Sequence, residues 1–277
     1  MQIELRDVCC SYSDSNNILD QIDLSIDHGD FLGIIGRSGS GKTTLLETIG
    51  GFHTPKSGTV VIEDKNIYSK GMDSVTFRRM LQIVFQFPEN QFFETNVRKE
   101  LEFGLLQLQI SAEERGKRIQ EIIEKIFSGN EKILDESPFT LSGGQKRKLA
   151  LACSLVLKPK ILLLDEPFSG LDADGISTMV RLLKDENKKG MTILLVSHDP
   201  DSVCSLANKI IVLSHGKIAD KGTPYEVYQP DKLQYDSGIG LPNTVKITRK
   251  IGLPLSQDIS YDSFLNKAME RYSGKSL

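Results

Sequence analysis

The residues best suited to chemistry begin with Gly36-Arg37-Ser38-Gly39-Ser40-Gly41-Lys42-Thr43, which carries the pattern G-x-x-x-x-G-K-[ST]. An apolar run, Phe31-Leu32-Gly33-Ile34-Ile35, precedes it, and a helical run beginning Thr44-Leu45-Leu46 follows. Glycines at Gly36, Gly39 and Gly41 let the backbone wrap closely around an anion, and successive N–H groups, with those of Ser38 and Ser40, point inward as a nest. A helix N-terminus adds partial positive charge. Lys42 is placed to neutralise β- and γ-phosphates, and Thr43 to ligate Mg²⁺, so the ligand implied is ATP with its metal. A second element, Ile161-Leu162-Leu163-Leu164-Asp165-Glu166, reads as a buried strand ending in two carboxylates. Ligands sit at the carboxyl ends of parallel strands. Asp165 is a candidate for Mg²⁺, and Glu166 is a candidate general base for an attacking water.

A third motif is Leu141-Ser142-Gly143-Gly144-Gln145, before a helix running from Lys146 to Leu157 and stopped by Pro159. Ser142, Gly143 and Gly144 therefore present backbone donors at a second helix N-terminus. One chain's γ-phosphate does not plausibly meet two ends so far apart in sequence. Two chains placed head to tail would each supply one.

These motifs require particular elements around them. Ile3, Leu5 and Val8 alternate with Glu4, Arg6 and Asp7, and predict a half-exposed antiparallel sheet at the N-terminus. Short apolar runs at Phe31–Ile35, Gln82–Phe85, Ile161–Leu164 and Thr192–Val196 predict strands buried on both faces of a mainly parallel sheet. From Gln86 to Lys158 the pattern is helical. Ser111 with Glu114 predicts a capping box, Ile119, Ile122, Ile123, Ile126 and Phe127 form a core stripe, and Gly129 ends the run. The stretch from about 87 to 158 is thus a helical subdomain inserted into an α/β core. A hairpin is expected around His215-Gly216. After Gln229 the pattern weakens into a small accessory segment, 229–277, with a short helix near Tyr261–Tyr272.

Composition narrows the classes. The chain has 277 residues, 39% hydrophobic and 26% charged, with a net charge of −3. That is enough for one α/β domain with a subdomain, and it lacks the basic balance of a nucleic-acid binder. The Lys146-Arg147-Lys148 cluster reads as a solvated face. Cys9, Cys10, Cys153 and Cys204 show no metal-ligand spacing, and free thiols in a reducing compartment are expected. No apolar run approaches the roughly 20 residues that span a bilayer, so a membrane role requires a partner's span.

With the glycine loop, the carboxylate strand and Leu141–Gln145 together, the chain resembles the ABC ATPases over nearly its whole length. The resemblance implies an ABC ATPase domain over 1–228, with an N-terminal antiparallel β-subdomain. It implies further roles: Tyr12 stacking on adenine, Gln86 sensing Mg²⁺ and water, Ser169-Gly170-Leu171-Asp172 crossing between subunits, and His198 of Val196-Ser197-His198-Asp199 contacting the γ-phosphate. Gln145 belongs to the signature and Thr44 to the phosphate loop. Phe168 stands where the family often has a small or hydroxylated residue.

Phe85-Gln86-Phe87-Pro88-Glu89-Asn90-Gln91-Phe92-Phe93-Glu94 is more specific and resembles the same region of energy-coupling factor (ECF) ATPases, which serve vitamin and transition-metal uptake. The family pattern is F-Q-x-P-[DE]-x-Q-[LI]-F, then T-V and F-G. Here Asn96 separates Thr95 from Val97, Phe92 replaces the aliphatic residue, and Phe103-Gly104 follows. The resemblance implies a subunit on the cytoplasmic face of the cell membrane. Its partners would be a second ATPase, identical or paralogous, a transmembrane coupling subunit and a substrate-binding membrane subunit. Motor subunits of other ABC importers, and soluble ABC ATPases acting on ribosomes or DNA, share the core motifs and remain the alternatives. In ABC importers the region from Gln86 to Glu94 receives a partner's coupling helix. Glu89 and Glu94, flanking Phe87, Phe92 and Phe93, are expected to set the register of that contact.

Overall fold

The computed structural model describes residues 1–11, 17–87, 90–229, 240–252, 255, 257–259 and 261–273. The chain divides into two compact units, 1–70 with 194–277, and 71–193.

The first unit opens with β1 (Ile3–Cys10), β2 (Leu19–Ile26), β3 (Phe31–Ile35), α1 (Lys42–Ile49), β4 (Ser57–Ile62) and β5 (Lys65–Asn66). Four of these strands form an antiparallel sheet in the order β2-β1-β4-β5. In β1, Ile3 pairs with Ile26 and Ile62, and Leu5 with Leu24 and Val60. The alternation seen in the sequence is the reason: Ile3, Leu5, Val8 and Cys10 are buried while Arg6 and Asp7 are exposed. The register shifts after Leu5, where Asp7 takes a φ of 49°. Gly58 packs against this bulge so closely that a Cβ there would stand 2.3 Å from the Asp7 carbonyl oxygen. All five residues of β3 are buried, as its unbroken apolar run predicts.

The second unit contains α2 (Ser74–Met80), β6 (Leu81–Val84), α3 (Val97–Leu106), α4 (Ala112–Phe127), α5 (Gly143–Leu155), β7 (Ile161–Asp165) and α6 (Ala173–Lys188). β6 and β7 pair in parallel from Leu81↔Ile161 to Val84↔Leu164. The expected stripe on α4 is buried at Ile119, Ile122, Ile123 and Ile126, with Phe127 half-buried. Only half of the expected box at its start forms. Ser111 Oγ accepts from the Glu114 amide at 3.1 Å, but the Glu114 carboxylate turns to Arg118 Nε at 2.8 Å. The neighbour four residues on, on the same helical face, offers a charge where Ser111 offers only an amide.

The division between the units falls inside β8 (Thr192–Val196), which is buried throughout. The first unit then resumes with α7 (Pro200–Leu206), β9 (Lys209–Ser214), β10 (Lys217–Gly222), α8 (Pro224–Val227), α9 (Asn243–Lys250) and α10 (Tyr261–Ser273). β9 runs parallel to β3, from Leu32↔Lys209 to Ile35↔Val212. The hairpin at His215-Gly216 is present, both residues in the left-handed region, and joins β9 to β10 antiparallel. The architecture is α/β, with a mixed, mostly parallel sheet, an antiparallel sheet and helices.

Candidate nucleotide site

The glycine loop lies between the end of β3 and the start of α1. At Gly36 a Cβ would come within 2.2 Å of the Leu213 carbonyl oxygen, and at Gly41, with φ 103°, within 2.9 Å of that of Ile18. Glycine is therefore required by both space and conformation. Lys42 Nζ donates to the carbonyls of Gly36 and Arg37, each at 2.9 Å, which holds the ammonium over the loop. Ser38, Gly39 and Thr43 are exposed, whereas Ser40 and Thr44 are buried. Ser40 Oγ is a buried hydroxyl with no hydrogen-bond partner among the described residues. No side chain caps α1, and its first turn has no acid. An uncapped helix start beneath a glycine-rich loop fits a polyphosphate.

His198 follows β8 and is exposed at its edge. It lines one small cavity of about 40 Å³ with Ile35, Gly36, Ser197, Pro200, Tyr228 and Gly240, so the fold brings His198 beside the first glycine of the loop. Tyr12 lies outside the described residues, as does Glu89.

The second unit carries the carboxylates. Asp165, the last residue of β7, is buried, and so is Glu166 after it. Glu166 has a φ of 50°, a conformation that non-glycine residues hold only when their surroundings enforce it. One enforcing group is Arg147 on α5. Its Nη1 donates to the Gln86 carbonyl at 2.9 Å and to the Glu166 carbonyl at 3.3 Å. Gln86 and Glu166 are thereby tied to one guanidinium. The basic cluster was expected to be a solvated face, but Arg147 is half-buried and bonded inward. Its partners stand 61 and 19 positions away in sequence, so no local pattern reveals them.

Leu141-Ser142-Gly143-Gly144-Gln145 forms a reciprocal cap at the start of α5. Ser142 Oγ accepts from the Gln145 amide at 3.3 Å, and Gln145 Oε1 accepts from the Ser142 amide at 2.9 Å. The Ser142 N–H, expected to face phosphate, is thus held by Gln145, and the exposed Ser142 hydroxyl and Gly143 remain at the outer edge of the turn. Gly144 approaches Leu171, next to Asp172, whose carboxylate caps α6 by accepting from the Gly175 amide at 2.8 Å.

The region after Gln86 presents an aromatic ledge. Phe87 and Phe93 are each 56% exposed, Phe103 46% and Leu106 59%. The Phe93 and Phe103 rings meet edge to face with centroids 4.6 Å apart. Phe92, expected on this surface, is 7% exposed and belongs to the core. No local pattern points to Glu100, a buried carboxylate whose Oε2 accepts from the amides of Phe93 at 3.2 Å and Glu94 at 2.9 Å. Burial pushes the Glu100 carboxyl above its ordinary range, against the lowering effect of those two donors. Among the described residues, no helix is long and apolar enough to cross a membrane.

A glycine cradle before a helix, paired carboxylates at a strand end and a capped Ser-Gly-Gly turn define a nucleotide-binding ATPase cassette. The comparisons agree. The ABC transporter family model matches residues 19–169, and the chain belongs to that family of ATP-binding, ATP-hydrolysing cassettes. It is 38% identical to the energy-coupling factor transporter ATP-binding protein EcfA2 of Clostridioides difficile, over 88% of this chain and 87% of that one. It is 37% identical to the protein of the same name from Caldanaerobacter subterraneus, over 94% and 93%. Among solved structures, cbiO1 of Clostridium perfringens, described as part of the ABC transporter complex cbiONQ, superposes with a TM-score of 0.74 at 31% identity, covering 89% of this chain and 98% of that one. A dimeric ATP-binding cassette in a post-hydrolysis state with ADP and Pi gives a TM-score of 0.72 at 28% identity, over 80% and 98%.

Proposed function

We propose that this chain is the ATP-hydrolysing subunit that energises an ECF-type importer for vitamins or transition-metal ions. The observation that supports it most is the identity of 38% across 88% of the chain to an ECF ATP-binding protein. ATP is held with its phosphates in the cradle of Gly36, Gly39 and Gly41. Lys42 neutralises the β- and γ-phosphates, and Tyr12 stacks on the base. Thr43, Gln86 and Asp165 are the residues that would hold Mg²⁺, which would neutralise phosphate charge when bound. Glu166 orients and deprotonates the attacking water, and His198 meets the γ-phosphate. Catalysis is positioning plus charge neutralisation rather than covalent chemistry. Two cassettes, identical or paralogous, sandwich the nucleotides, each site completed by Ser142, Gly143 and Gly144 of the other chain. The Asp172 segment crosses between them.

The aromatic ledge of Phe87, Phe93, Phe103 and Leu106 is the docking surface for a transmembrane coupling subunit at the cytoplasmic face of the membrane, beside a subunit that binds the solute. Large apolar side chains left exposed close together, as Phe93 and Phe103 are, mark an interaction surface. The test is co-purification of the chain from solubilised membranes with its neighbouring subunits. Phe93→Asp is expected to abolish co-purification while the isolated chain keeps its ATPase activity. Full retention of Phe93→Asp in a membrane complex would overturn the docking assignment.

A further inference from the structure

The described residues beyond Val227 have no part in the roles above, yet they grip the loop that carries His198. That loop is short. Ser197 is buried at the end of β8, its Oγ accepts from the Asp199 amide at 3.1 Å, and α7 begins at Pro200. Where the imidazole points therefore depends on where the first turn of α7 is held.

Two contacts from the carboxy-terminal segment hold it. Asn243, the first residue of α9, binds both oxygens of Asp201: its amide donates to Oδ1 at 2.8 Å and its Nδ2 to Oδ2 at 2.8 Å. Asp201 lies in the first turn of α7, three residues after His198. Just before α9, Gly240 lies against the Pro200 ring, at a distance where an added Cβ would meet Cγ at 3.4 Å. Tyr228 is fully buried and forms part of the same cavity wall as His198, Pro200 and Gly36. Arg249 Nη2 donates to the Tyr228 carbonyl at 3.4 Å, and Thr244 Oγ1 donates to the Ile259 carbonyl at 2.8 Å. α9 is thus anchored on its own side and reaches α7 with a two-point clasp.

We infer that Tyr228 and residues 240–250 form a positioning element for His198, acting through the Asn243–Asp201 clasp and the Tyr228 wall. It sets how the imidazole is presented to the γ-phosphate, and it makes the carboxy-terminal segment a lever on the rate of hydrolysis. The inference rests on the reading of His198 as a γ-phosphate contact. A loosened loop weakens an interaction that matters most in the transition state, so kcat falls while KM and ATP affinity hold.

The experiment uses the full-length chain, with kcat, KM, ATP affinity and thermal melting measured for each variant. Asn243→Ala is expected to lower kcat roughly 10-fold, a fraction of what an ångström of misplacement can do, with ATP affinity unchanged. Exchanging the partners, Asn243→Asp with Asp201→Asn, restores a paired clasp and is expected to recover most of the rate. In a His198→Ala background, Asn243→Ala is expected to lower the residual turnover no further, because the two act through one contact. Unchanged kcat for Asn243→Ala, or the same fold-loss with and without His198, would overturn the inference while leaving the role of His198 intact. Wild-type turnover by His198→Ala alone would overturn the site reading, and this inference with it.

Discussion

Arg147 offers the sharpest test of how the second unit is assembled. Its guanidinium reaches the carbonyls of Gln86 and Glu166 at 2.9 and 3.3 Å. Replacing it by Met keeps an unbranched apolar stem, shorter than arginine, and removes both donors. Charge-assisted hydrogen bonds contribute about 1.5–3 kcal/mol each. One of these is long and the side chain is only half-buried, so a loss of about 2 kcal/mol is the reasonable total. The Glu166 carbonyl keeps a second donor, the Ser169 amide at 3.3 Å, which limits the damage to the fold. The effect on rate is larger in kind. Glu166 sits at φ 50°, and a residue in that region costs of order 1–3 kcal/mol unless its surroundings hold it there. Relaxing it moves the carboxylate, and a shift of about 1 Å at a reacting group can cost on the order of 100-fold. Arg147→Met is therefore expected to reduce kcat by roughly 10- to 100-fold with little change in KM for ATP. The assay is steady-state phosphate release alongside urea unfolding, so that lost rate is separated from lost fold. A folded Arg147→Met protein with wild-type kcat would show that the guanidinium does not position Glu166.

Two further outcomes are expected. For Glu100 the folded carboxyl is raised by burial, so its contribution favours the fold in acid and is lost as pH climbs through the raised value. Glu100→Gln keeps an acceptor for the Phe93 and Glu94 amides without the charge, and is expected to melt at or above wild type at neutral pH with a flatter pH dependence, whereas Glu100→Ala orphans both amides and loses about 1–3 kcal/mol for each; a Gln variant as unstable as the Ala variant at neutral pH would contradict this. For the shared site, mixing Lys42→Ala chains with Ser142→Arg chains is expected to restore one intact composite site and a fraction of wild-type turnover, which neither variant shows alone; nucleotide crosslinking that places both motifs of a single chain on one ATP would contradict it.

What the sequence disclosed and what it hid follow from the distance between interacting residues. The phosphate loop was legible because its glycines, Lys42 and the flanking apolar runs are contiguous, and each residue's task follows from its neighbours. The buried strands β3, β7 and β8 were legible for the same reason, as uninterrupted apolar runs. Arg147, Glu100 and Asn243 were not. Each acts on a backbone carbonyl, an amide or a carboxylate brought near only by folding, and the Asn243–Asp201 pair spans 42 positions. Helix α9 escaped notice because its buried residues, Thr244, Val245 and Thr248, include only one strongly apolar side chain. Phe92 shows the opposite error. Its place between Gln91 and Phe93 suggested one continuous aromatic surface, but an irregular stretch turns Phe93 outward and Phe92 into the core.

Glu166, held at the end of β7, is the proposed base for ATP hydrolysis. Phosphate release by purified Glu166→Gln protein, measured together with retained nucleotide, tests it directly. Removing a general base typically costs roughly 10²–10⁴-fold, so turnover should fall by that amount while ATP remains bound and the chains accumulate as an ATP-bound dimer. Phosphate release near the wild-type rate would contradict the account.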